Sequence, residues 1–91
     1  MKIDFSQPIL DLENAETGLT LGTAAIQAMM TPTREDENMQ ASEKLRLYEL
    51  SLKIKANGNV DMVVEDVAFI RARIGKVFSP LVVGRAFAML G

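Results

Sequence analysis

Two runs of adjoining carboxylates, Glu35-Asp36-Glu37 and Glu65-Asp66, are where acid–base or cation chemistry would have to start. Paired carboxylates do such work when a rigid element aims both at one atom and their surroundings push their pKa values apart. Neither run fits. Glu65 and Asp66 are neighbours on a predicted helix and so point to different faces, while Glu35-Asp36-Glu37 falls in a predicted flexible loop. Asp36 and Asn38 alternate as calcium ligands do, yet the glycine and closing glutamate of an EF-hand loop are missing at the required offsets. The chain contains no histidine and no cysteine. That removes the commonest general base, the commonest transition-metal ligands, the thiol nucleophile and any disulfide. No Ser, Thr or Lys stands beside a base in a known catalytic motif, and the glycines form neither a dinucleotide fingerprint nor a P-loop. The expectation is a protein that is not an enzyme and that holds no cofactor and no metal ion.

Two other constellations carry binding rather than chemistry. Arg71, Arg73, Lys76 and Arg85 lie on two predicted helices flanking Gly75-Lys76-Val77-Phe78-Ser79-Pro80, an arrangement like a helix-turn-helix with phosphate-contacting cations. The second of these helices, Pro80 to Leu90, offers base edges only Arg85, whereas a recognition helix needs several hydrogen-bonding side chains. The net charge of −2 hides an uneven distribution, −5 over residues 1–45 and +3 over 46–91. A small regulator touching nucleic acid through its basic C-terminal half is therefore the second reading. The first is protein association. Pro80 to Leu90 has one charge in eleven residues, and Val83, Phe87 and Leu90 recur at three- and four-residue spacing. They are the candidate interface, for another protein or for a second copy in a symmetric homodimer.

The elements that must position these residues follow from periodicity and caps. Ninety-one residues suit a single domain over 1–91, with a β element in 1–19 and a helical part in 20–91 containing a mobile loop, 31–40. Lys2-Ile3-Asp4-Phe5 and Ile9-Leu10-Asp11-Leu12 alternate as strands, and Glu13 to Gly18 reads as the turn after them. Val60-Asp61-Met62 is a further short strand for the same element. Thr20 caps a helix over Leu21 to Met30 that is apolar on most sides. Ser42 caps a second helix reaching Ala56, closed by Asn57-Gly58, with a Glu49–Lys53 pair on its surface. That helix has two adjacent stripes, Leu45/Tyr48/Leu52 and Leu47/Leu50/Ile54, together wider than one core face. A third helix, Val64 to Val77, places Val67, Ile70, Ile74 and Val77 on a core-facing stripe, and Ser79-Pro80 starts the fourth. The fold class is thus mainly α (α+β), three to four short helices with a small N-terminal β element. No run of ~18 apolar residues spans a membrane, and Asp4 interrupts any apolar leader, so a cytoplasmic location is expected.

Several runs resemble a group of small proteins encoded in tailed bacteriophages and prophages. They are Met1-Lys2-Ile3-Asp4-Phe5-Ser6-Gln7-Pro8-Ile9, Leu19-Thr20-Leu21-Gly22, Glu43-Lys44-Leu45-Arg46, Val64 to Ile70 and Pro80-Leu81-Val82-Val83-Gly84. The likeness covers most of the chain, but its motifs are caps, stripes and turns. The group has no settled activity, so the resemblance assigns no functional residues. It implies a phage or prophage origin and an accessory role, exercised in the bacterial host cell or on the virion by binding another protein during assembly or against a host target.

Overall fold

A helix made of Leu21, Gly22, Ala24, Ala25, Ala28 and Met29 has so little side-chain bulk that neighbours approach its backbone from several directions. In the computed structural model, which describes residues 1–56 and 58–91, this helix (α1, Leu21–Met30) is the centre of the domain. Helices α2 (Ala41–Ala56), α3 (Val64–Val77) and α4 (Pro80–Leu90) all lie against it. Those six residues are buried, and only Thr23, Gln27 and Met30 give it a solvent-facing stripe. The Thr20 hydroxyl accepts the Thr23 amide at 3.1 Å, the expected cap. Gly22 is required by packing: a Cβ there would stand 3.0 Å from the Phe5 carbonyl oxygen, which accepts the Gly22 amide itself.

The β element is two separate antiparallel pairs, not one sheet. Strand β1 (Lys2–Asp4) pairs with β4 (Asn59–Asp61), Ile3 opposite Val60, and β2 (Pro8–Leu10) pairs with β3 (Glu16–Thr20). The predicted turn over Glu13 to Gly18 is therefore too long. The chain reverses at Leu12–Asn14, where Asn14 takes φ 65°, and Gly18 sits inside β3 at φ 89°. The register slips between Pro8 and Leu10 opposite it, and a glycine in left-handed geometry is how a strand absorbs such a bulge. Two strands alone are marginal in water. Here Ile3, Phe5, Ile9 and Val60 anchor both pairs in the same apolar core as the helices.

The helices end close to where the caps and prolines place them. Helix α2 begins one residue before the expected Ser42 cap, with the Gln40 carbonyl accepting the amides of Glu43 and Lys44. Its predicted Asn57-Gly58 closure rests on Asn57, which lies outside the described residues. Within the segment 31–40, Arg34–Asn38 form a 3-10 helix. Leu90 is 1% exposed and belongs to the core with Val82 and Ala86, so the proposed Val83/Phe87/Leu90 ridge does not exist as an outer face. Helix α4 is apolar around its circumference because α3, α1 and β2 flank it.

Ile70 and Ile74 are both fully buried, whereas Val64 at the start of the same helix is 67% exposed. Truncating Ile70 or Ile74 to alanine should each cost about 2–5 kcal/mol in denaturant melts. Val64→Ala should stay within about 0.5 kcal/mol. Equal, small losses at all three positions would contradict this packing.

Candidate functional site

The four cations proposed for phosphate contact are already engaged within the chain. Arg73 is 3% exposed and buried in the domain. Its Nε donates to the Ala28 carbonyl at 3.1 Å, Nη2 to the Thr31 carbonyl at 2.8 Å and Nη1 to Asp36 Oδ1 at 2.7 Å. It therefore satisfies carbonyls at the C-terminal end of α1, where the helix dipole favours a cation. Lys76 pairs with Glu35 at 2.9 Å. Arg71 lies over the Phe87 ring at 4.7 Å, and Arg85 reaches from α4 to the Asp11 carbonyl at 2.7 Å. Arg73 does not fit the phosphate role expected of it: a buried guanidinium has no access to a phosphate. The acidic run finds its role here too, since Asp36 and Glu35 tie the 3-10 helix to α3.

A shallow cleft of about 260 Å³ at the start of α1, lined by Ser6, Thr20, Thr23 and Lys55 among others, has the composition of an anion site. Its backbone donors are spent. The Leu21 amide goes to the Gln7 carbonyl, the Gly22 amide to the Phe5 carbonyl and the Thr23 amide to the Thr20 hydroxyl. Among the described residues no group of three or more acidic side chains is gathered to hold a metal ion.

What remains is the outer face of α2. Of its two stripes, Leu47, Leu50 and Ile54 turn inward at 7%, 6% and 4% exposure, while Leu45, Tyr48 and Leu52 are 54%, 53% and 50% exposed. The split has a physical cause. Helix α2 packs its backbone chiefly against α1 among the helices, so one stripe faces the core and the other faces away. Arg46, beside the outer stripe, fixes the helix to α3 by an ion pair with Asp66 at 2.8 Å and by stacking over Phe69 at 4.3 Å. An apolar cleft of about 220 Å³ adjoins the outer stripe, with Met29, Met30, Pro32, Met39 and Tyr48 in its walls and Arg73 and Asp36 also lining it. Methionine-rich walls adapt to differently shaped apolar side chains. The half-exposed Val83 and Phe87 of α4 offer less than this face, and Phe87 is covered by Arg71.

The Asp36–Arg73 ion pair lines this cleft. Hydrogen bonding to the Arg73 guanidinium, then to the Thr33 amide at 2.8 Å, pulls the Asp36 carboxyl from the usual carboxylate range down to about 2. A carboxyl whose folded pKa is depressed stabilises the fold above its unfolded pKa of about 3.9 and loses that contribution as pH falls toward 2. Asp36→Asn should therefore cost about 1–3 kcal/mol at neutral pH, with the gap from wild type closing between pH 4 and pH 2. Denaturant melts across that range check it. A gap independent of pH would contradict the ion pair.

Among the described residues no helix is long and apolar enough to cross a membrane. The chain matches no protein-family model, no curated protein and no solved structure.

Proposed function

We propose that this protein is a non-enzymatic accessory protein of a phage or prophage that works by docking another polypeptide on the outer face of α2. The observation that carries the docking reading is the exposure of Leu45, Tyr48 and Leu52, each at least half open to solvent at i, i+3 and i+7 spacing. Single exposed apolar residues are ordinary on protein surfaces, but a contiguous stripe beside an apolar cleft marks an interaction surface. The spacing suits the apolar side of a partner helix. The phage side of the proposal is supported by the sequence runs quoted above, and a role in virion assembly or against a host target follows from that resemblance. The nucleic-acid reading has no comparable support, because Arg73 is internal and Arg71, Lys76 and Arg85 have partners within the chain.

Replacing Tyr48 with a photo-crosslinking phenylalanine analogue in bacterial cells should yield a discrete adduct with another polypeptide. The same analogue at Ala72, exposed on α3, should not. Adducts from Ala72 and none from position 48 would move the docking surface elsewhere.

A further inference from the structure

The outer stripe of α2 extends one position further than its large residues. Ala41, Leu45, Tyr48 and Leu52 follow one another at intervals of four, three and four, and all four are exposed. This is the alternation of the two seam positions of a coiled coil, in which side chains of one helix fit between those of another. The positions that flank such a seam decide which helix it accepts and in which direction. On α2 they are occupied by Lys44 on one side and Glu49 on the other. Both are exposed, and neither takes part in an ion pair among the described residues; the expected Glu49–Lys53 pair does not form.

We infer that the occupant of this face is a second copy of the same chain, with the two α2 helices packed side by side in parallel about a two-fold axis. This rests on the docking reading above and names its partner. In the parallel arrangement each seam residue meets its own counterpart. Lys44 of one copy then falls opposite Glu49 of the other, five residues on, and the two-fold makes the contact twice. The antiparallel alternative uses the same apolar residues, setting Ala41 against Leu52 and Leu45 against Tyr48. It leaves the charges without partners, however. Lys44 would face Ser51, which is 6% exposed and whose hydroxyl is committed to the Leu47 carbonyl, and Glu49 would face Ser42. Charge complementarity thus selects the parallel pair. The core-facing residues Leu47, Leu50 and Ile54 are on the opposite side of the helix from this seam. Four seam layers make a short interface, below the ~800 Å² per partner of a standard one, so a weak dimer is expected, with Kd on the order of 10–100 µM.

Sedimentation of the intact protein from 1 µM to 1 mM tests this. Wild type should shift from monomer to dimer across that range, and Tyr48→Asp, checked for folding by circular dichroism, should remain monomeric. Lys44→Glu and Glu49→Lys should each weaken the dimer about tenfold, and the double variant Lys44→Glu/Glu49→Lys should return to within threefold of wild type. A dimer broken by Tyr48→Asp but indifferent to both charge reversals would overturn the parallel pairing. A wild-type monomer at 1 mM would overturn self-association. If position 48 still crosslinked to a different polypeptide in cells, the docking reading would stand without this partner.

Discussion

A helix buried at its C-terminal end must find partners inside the protein for carbonyls that its own turns leave open. Arg73 supplies them for α1, donating to Ala28 and Thr31 while Asp36 balances its charge. One guanidinium thereby fixes three things: the end of α1, the position of α3 along it, and the 3-10 helix Arg34–Asn38. A lysine would not substitute, since the task needs a planar fork of donors aimed at separate acceptors. Removing either partner of such a pair leaves an uncompensated charge in a water-poor site, and this costs more than the intact pair contributes.

The rest of the architecture follows from having α1 in the middle. Its small side chains let α2, α3 and α4 share one core, but a chain of this size cannot also cover the far side of every outer helix. On α3 and α4 the large aromatic side chains Phe69 and Phe87 are covered by arginines stacked on their rings, and the exposed positions past Val64 are small, proline or charged. Helix α2 differs. Among its outward residues are Leu45, Tyr48 and Leu52, and the cleft beside them is lined by methionines and by the Arg73–Asp36 pair. The interaction that closes α1 also lines the cleft at the edge of the proposed docking face.

Much of this was legible in the residues. The Thr20 cap, the Pro80 start, the Ile70/Ile74 stripe and the strand at Val60 all follow from local rules, and the structure has each of them. The two stripes of α2 were equally visible, but choosing between them needs the neighbouring helix, because both are apolar at helical spacing. The burial of Leu90, expected on an outer ridge with Val83 and Phe87, is hidden for the same reason: an all-apolar helix gives no sign of which side is covered. Arg73 is the residue whose type and position pull apart: its charge suits a surface cation, but three residues after Ile70 and four before Val77 it lies on the core stripe. A charged residue on a core stripe demands a buried partner, and the acidic run at Glu35–Glu37 was available to provide one.

Native-state hydrogen exchange on the wild-type protein tests the central role of Arg73 most directly. The amides of Asp36 and Met39, which bond within the 3-10 helix, and that of Thr31, which closes α1 onto Gln27, should open together with a shared free energy well above that of a fraying loop. If Asp36 and Met39 exchange at unprotected rates while Thr31 stays as protected as the core, the 3-10 helix is not held by Arg73 and the account is contradicted.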